Sequence, residues 1–187
     1  MAYLSPAEFV TKMVDTGEAK IHMSTRDTLI RAFMAGAILA LAAVFAVSAS
    51  VMSGSALIGA LLFPVGVCML YLLGFDLLTG VFMLTPLALL DKRPDVTVRG
   101  ILRNWGLVFV GNFLGALTVA GMMAFIFTYG FSVPPGEIGQ KIGHIGEART
   151  LGYAEYGLMG WATIFLRGVL CNWMVSTGVV GAMISTT

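Results

Sequence analysis

The length of its segments without charge is what most limits how this chain can fold. Asp, Glu, Lys and Arg are absent from residues 32–75, 104–136 and 168–187, which are runs of 44, 33 and 20 residues. About 20 apolar residues in a helix span the hydrocarbon core of a bilayer. A large soluble helical core would need helices with a polar outer face, and these runs have no such face. The sequence therefore predicts an all-α membrane protein that crosses the bilayer several times.

Composition supports this class and excludes others. Hydrophobic residues make up 58% of the chain and charged residues 11%, against about 45–50% and 25% in soluble domains. A formal net charge of +1 gives no strong field for a polyanion, so no nucleic-acid partner is expected. Both His lie in polar segments, and the sequence has no CxxC or HExxH motif. We therefore expect no metal site, no cofactor and no enzymatic activity.

Four spans in the lipid bilayer are predicted, preceded by a polar region at residues 1–28. The spans of the transmembrane domain, residues 29–187, cover about 29–50, 56–90, 104–129 and 158–183. Basic residues gather before the first span and between the second and third, whereas the connection between the first and second carries none. Because basic loops stay in the cytoplasm, the N-terminus is predicted to be cytoplasmic in a multi-pass protein of the inner (plasma) membrane.

The N-terminal region carries the start signal of a helix. Ser5 precedes Pro6 and stands three residues before Glu8, as in a capping box with Pro at the first helical position. Apolar residues at 9, 10, 13 and 14 then share one face, and polar residues take the other. This pattern predicts a short amphipathic helix at the membrane surface. An ordinary polar tail is the alternative.

The second span is too long for one straight helix. Its 35 residues would measure about 52 Å at 1.5 Å per residue, which exceeds the bilayer by more than tilt accommodates. Gly74, Asp76 and Gly80 interrupt the apolar sequence, so we predict a helix break near 74–80 beside a permeation path. Asp76 is expected to cap the second half of the helix. A capping role and nothing more is the alternative to a functional one.

Three sequence blocks resemble the formate/nitrite transporter family. They are GFDLLT at 74–79, RNW at 103–105 with GNFLGA at 111–116, and GVLCNWMV at 168–175. Their order and spacing match as well. The resemblance implies an aquaporin-like helical bundle, of which this chain supplies the first inverted repeat and the opening helix of the second. It also implies a homo-pentamer, and a chain truncated after the fourth span, before the family's pore histidine.

The resemblance assigns roles to residues around the break and in the fourth span. Phe63 and Val67 would form one pore constriction and Leu77 and Leu78 the other, and the anion would be hydrogen bonded by Thr79 and Asn172. Apolar rings admit only small solutes, although core or lipid packing is the alternative for these apolar residues. Arg167 is a candidate for attracting anions, because many relatives have a Lys where this chain has Tyr156. Its alternative is packing, paired with Asp76 or with a helix-end carbonyl.

Together these features predict a channel or transporter for small monovalent anions. Formate and nitrite are the first candidates, and hydrosulfide or similar acids are next. Proton linkage is expected, because a bare charge is costly in a dry pore and the family's histidine would share or transfer a proton. Two alternatives stay open: an aquaporin-like channel for a small neutral solute, and a non-conducting membrane fragment.

Overall fold

The fold is helical, and its long helices lie where the charge-free sequence predicts spans. The computed structural model describes residues 3–185. The helices are α1 (Pro6–His22), α2 (Thr25–Ser53), α3 (Ala56–Leu62), α4 (Pro64–Leu72), α5 (Leu78–Leu90), α6 (Val98–Phe127), α7 (Glu137–Arg149) and α8 (Gly157–Ile184), with a 3₁₀ helix at Leu151–Tyr156. Within the described residues, three segments are long and apolar enough to cross a membrane: α2, α6 and Glu137–Ile184. Ala56–Leu72 and α5 are shorter apolar helices.

The first helix, α1, is packed onto the bundle. Its predicted capping box is present, since Glu8 accepts hydrogen bonds from the Ser5 N–H at 2.8 Å and from Ser5 Oγ at 2.6 Å. The side-chain hydrogen bond, followed by the backbone one, favours the carboxylate and lowers the pKa of Glu8. Met13 and Ile21 are buried against apolar residues of α5 and α6. The apolar face of the helix is therefore covered by protein, whereas Val10, predicted on that face, is exposed.

Glycines bring α2 and α6 into close contact. A Cβ on Gly115 would lie 2.0 Å from the Phe33 carbonyl oxygen, and one on Gly36 would lie 2.0 Å from that of Asn112. Gly111 faces α2 in the same way. Small residues at such spacing let helix backbones approach closely. Gly111 and Gly115 of α6 have this spacing, and α2 is the helix that they contact.

The apolar stretch between α2 and α6 is interrupted twice. Pro64 begins α4 directly after α3, since Pro is tolerated in a first helical turn but not inside a helix. The second interruption lies between α4 and α5, where Gly74 has a φ of +70°, a conformation that glycine adopts without penalty. Gly80 was predicted to belong to this break, and that was wrong: it lies in the first turn of α5.

The connection between α6 and α8 contains a helix that the hydropathy pattern did not predict. In α7, Ile138, Ile142 and Ile145 are half-buried, whereas Lys141 and Glu147 are exposed. The apolar side covers a cavity of about 520 Å³ between α2 and α6. The polar side of α7 lowers its mean hydropathy. A search for apolar runs therefore does not distinguish this helix from a loop.

The last helix, α8, is largely uncovered by the rest of the described chain. Trp161 and Trp173 are exposed, whereas Met183 near its C-terminal end is buried against Met13 and Leu84. Cys171 on α8 is likewise free and exposed, as is Cys68 on α4. Free cysteine is usually among the most buried residue types, but the described chain covers neither Cys68 nor Cys171.

Candidate functional site

A cavity of about 370 Å³ lies beside the break between α4 and α5. It is the place where the break meets α1 and the C-terminal half of α8. Its lining is mainly apolar, and its charged groups are Lys12 and Lys20 from α1 and Asp76 from the break. An apolar cavity with a few convergent polar groups is the usual form of a small-molecule site.

Asp76 is buried at this cavity, with 1% of its surface exposed. Lys20 Nζ donates a hydrogen bond to Asp76 Oδ1 and forms an ion pair with it. Asp76 Oδ2 accepts no hydrogen bond from any residue between 3 and 185. The ion pair with Lys20 lowers the cost of burying the Asp76 carboxylate, because a buried charge is costly unless it is paired.

Asp76 does not cap α5, which corrects the sequence-based prediction. Leu77 occupies the N-cap position, and its side chain makes no capping hydrogen bond. Asn112 of α6 forms hydrogen bonds at the start of α5 instead. Its Oδ1 accepts from the Leu78 N–H at 2.9 Å, and its Nδ2 donates to the Asp76 carbonyl oxygen at 2.8 Å. The partner of the Asp76 carboxylate, Lys20, lies far away in the sequence. The residues next to Asp76 in the sequence therefore could not show how the start of α5 is capped.

Two polar residues assigned to anion binding have unpaired buried atoms. Thr79 lines the cavity, and its Oγ1 has no hydrogen-bond partner in the described part of the chain. The same holds for Oδ1 of Asn172, whose Nδ2 lies 3.5 Å from Ser176 Oγ. Asn172 lies three residues before Val175, which lines the cavity, but is not itself in the lining. Unpaired buried polar atoms are uncommon in native structures, and a bound ion or water is one of the explanations for them.

The four constriction candidates separate into two pairs. Val67 and Leu77 line the cavity. Leu78 packs instead against a buried cluster that includes Val81 and Val108. Phe63 lies at the junction of α3 and α4, away from the cavity lining, and is 36% exposed. The structure thus brings one residue from each predicted constriction to the cavity.

Arg167 has a different partner from those expected. Its Nη1 donates a hydrogen bond to the hydroxyl of Tyr153, and its Cζ lies 5.5 Å from the centre of that ring. The partner comes from the 3₁₀ helix, and Asp76 is paired with Lys20 rather than with Arg167. Arg167 is exposed in the described chain and lies outside the cavity lining.

Apolar helices of membrane-spanning length, a helix broken within the apolar sequence, and a cavity with unpaired polar atoms at that break define a membrane transport protein. Residues 7–187 match the formate/nitrite transporter family, and the chain belongs to that family. The family resemblance of the three sequence blocks is thereby confirmed. Membership of a transporter family also agrees with the expectation that the chain is not an enzyme.

Three relatives illustrate the match. The chain is 30% identical over 188 residues to the uncharacterized transporter YrhG of Bacillus subtilis, covering 96% of this chain and 65% of that protein. It is 30% identical over 202 residues to a probable formate transporter of Methanothermobacter thermautotrophicus, covering 98% and 71%. It is 30% identical over 185 residues to the formate channel FocA of Haemophilus influenzae, covering 94% and 60%. The chain therefore spans roughly two thirds of the length of these relatives.

Proposed function

We propose that the protein carries small monovalent anions across a membrane, with formate as the first candidate and nitrite and hydrosulfide next. Family membership and relatives named as formate channels or transporters support this class. The observation that carries the proposal is the unpaired, buried hydroxyl of Thr79 in the cavity beside the helix break. A hydroxyl both donates and accepts hydrogen bonds, so it can bind an anion or its conjugate acid.

In this proposal the permeation path is narrow and mainly apolar, with few polar groups. Val67 and Leu77 narrow it at the cavity, Phe63 and Leu78 extend the two constrictions, and Asn172 offers a second hydrogen-bonding group. Few polar groups suit conduction, since an ion or acid must bind weakly enough to leave. Arg167 attracts anions through the N–H groups not used on Tyr153, because a guanidinium carries five donors.

The proposed assembly is a homo-pentamer with a pore through each aquaporin-like protomer. This chain supplies the first inverted repeat and the first helix of the second. Residues 1–28 form the cytoplasmic N-terminal region and residues 29–187 the transmembrane domain, placed in the inner (plasma) membrane. Transport is proton-linked, because the apolar lining around Leu77 and Val67 would make a bare anion expensive to desolvate.

Flux into liposomes tests this function. The product of the full reading frame is reconstituted, and entry of formate, nitrite and glycerol is followed with protein-free liposomes as the background. We expect formate and nitrite flux above background and no glycerol flux. Glycerol flux without anion flux would favour the neutral-solute channel. Background-level flux of all three solutes would favour the non-conducting fragment.

A further inference from the structure

A strong hydrogen-bond acceptor is left over in the cavity after the contacts of the fold are made. Asp76 is 1% exposed and lines the cavity, and its Oδ1 is held by Lys20. Its Oδ2 has no partner in the described range 3–185. A buried carboxylate oxygen without a donor is costly. A ligand that brings an O–H group into the cavity would remove that cost.

The groups around Asp76 define what kind of ligand suits the site. Lys20 and Lys12 reach the cavity from α1, and the phenol of Tyr71 reaches it from α4. Arg31 of α2 is directed to the Gly74 carbonyl oxygen at 3.3 Å. From α8 the lining is apolar, and from α6 Asn112 contacts the Asp76 backbone but not its carboxylate. One carboxylate thus shares the cavity with two ammonium groups.

The ammonium group of Lys12 can donate further hydrogen bonds. Its Nζ donates to the Met183 carbonyl oxygen at 3.0 Å, and an ammonium group has three donors. The cavity therefore offers an acceptor at Asp76, donors at Lys12 and a hydroxyl at Thr79. A small carboxylic acid, which carries both an O–H donor and a carbonyl acceptor, fits this combination as a neutral molecule, and its anion fits the ammonium group.

We propose that Asp76 Oδ2 exchanges a proton with the permeating weak acid at the α1 end of the cavity, a role that rests on the proposed function. A neutral acid arriving along the apolar lining donates its O–H to Oδ2. The acid's O–H bond breaks, an O–H bond forms on Asp76, and the electron pair stays on the departing anion. The anion leaves past Lys12, and Asp76 passes its proton to water. An anion that enters the cavity at the α1 end goes through the same steps in reverse.

The competing explanation is structural. The Lys20–Asp76 pair joins α1 to the break, and Asp76 could serve to neutralise Lys20 and nothing else. The two roles differ in one respect. A proton-exchange role needs a carboxylate in the cavity, whereas a neutralising role disappears when Lys20 is removed as well.

The pH profile of formate flux separates the two roles. The full-length protein and its Asp76→Asn variant are reconstituted, and flux is measured from about pH 5 to about pH 8, with protein-free liposomes subtracted. Without an exchange group the variant must take neutral acid from solution, so its flux is expected to fall about tenfold per pH unit. The protein with Asp76 is expected to have a flatter profile and at least about a hundredfold higher flux at the alkaline end, the lower end of the range for a positioned proton-transfer group.

Two further variants complete the experiment. Asp91→Asn removes an exposed carboxylate outside the cavity and should keep the original profile. The double variant Asp76→Asn with Lys20→Met removes both charges together, which protein folds tolerate better than one unpaired charge, and it carries the test if Asp76→Asn does not fold. A steep profile in the double variant supports proton exchange, and a flat one overturns it. Absence of flux in the unmodified protein would instead contradict the proposed function.

Discussion

Two threonines of α5 show how hydrogen bonding separates a functional residue from a structural one. Thr85 Oγ1 donates to the Val81 carbonyl oxygen at 2.8 Å and accepts from Trp105 Nε1 at 2.9 Å. Thr79 Oγ1, on the same helix, has no partner among residues 3–185. The fold itself therefore uses the hydroxyl of Thr85, whereas the hydroxyl of Thr79 is available to a ligand.

Thr79→Val is expected to reduce formate flux at least about tenfold, since the loss of a hydrogen bond to a charged ligand costs about 1.5–3 kcal/mol. Its stability should be unchanged or slightly higher, because the hydroxyl makes no hydrogen bond in the fold. Flux is measured in liposomes, and stability by thermal unfolding in detergent.

Thr85→Val is the matched control on the same helix. It removes the nearer of two acceptors of the Trp105 N–H, which keeps the Val81 carbonyl oxygen at 3.2 Å, and should lower stability by about 0.5–1.5 kcal/mol. Unchanged flux in Thr79→Val would remove this residue from the mechanism, and so would a loss of flux that merely follows a loss of folded protein.

At the residue scale, the sequence predicted which positions matter better than it predicted their partners. Asp76 was recognised as an unusual intramembrane acid, and the structure places it in the cavity lining. Its partner Lys20 and the capping residue Asn112 come from helices far away in sequence. Long-range hydrogen bonds carry no local signature, so the capping assignment failed although the location of the break was predicted.

At the scale of helices, the contact between α2 and α6 depends on backbone proximity. Gly115 allows the Phe33 carbonyl oxygen to approach to a distance at which no side chain fits, 2.0 Å from an added Cβ. Because the conflict is with backbone, it is relieved only by moving one helix. The GxxxG spacing of Gly111 and Gly115 is typical of such a contact, but the spacing does not indicate which helix lies opposite.

Gly115→Ala should therefore destabilise the protein, by about 1–3 kcal/mol as for other overpacked sites. Gly106→Ala is the control on α6, since an added Cβ there meets nothing within 4 Å, and alanine raises helix propensity by about 0.5–1 kcal/mol. We expect a lower unfolding temperature for the first variant and an equal or higher one for the second. Equal temperatures for both would contradict the close α2–α6 contact.

Helices were predicted wherever the apolar runs were long. A helix of mixed composition, α7, was not predicted. α7 alternates half-buried Ile142 and Ile145 with charged residues such as Lys141. Its apolar side lines a cavity together with α2 and α6, whereas its polar side is exposed, so its mean hydropathy is low. An amphipathic helix that packs on other helices has to be found by periodicity rather than by mean hydropathy.

At the scale of the whole molecule, α1 joins parts of the chain that are remote in sequence. Lys12 reaches the Met183 carbonyl oxygen, and the Leu4 N–H donates to that of Ile184 at 2.9 Å. Arg93, between α5 and α6, donates to Asp15 at 2.6 Å. The amphipathic pattern predicted a short helix at the membrane surface. The helix is present, and its apolar face packs against other helices of the chain. α1 thereby forms one wall of the cavity that contains Asp76.

Gly17 tests whether this wall is held as the structure indicates. A Cβ at Gly17 would lie 2.1 Å from the Leu84 carbonyl oxygen and 2.8 Å from its carbon. Gly17→Val should therefore push α1 off α5, because backbone atoms cannot move aside as a flexible side chain does. We expect faster tryptic cleavage at Lys12 and Lys20 in the variant, measured by mass spectrometry of the detergent-solubilised protein.

Ala19→Val, on the exposed side of the same helix, is the control for that experiment and should be cleaved at the original rate. Helix propensity cannot explain faster cleavage of Gly17→Val alone, since valine is a better helix former than glycine and a worse one than alanine. Loss of α1 from its place would also remove Lys12 and Lys20 from the cavity and leave Asp76 without its ion-pair partner. Equal cleavage of both variants would show that α1 is not packed against α5, and the cavity would then lack the wall that supplies its ammonium groups.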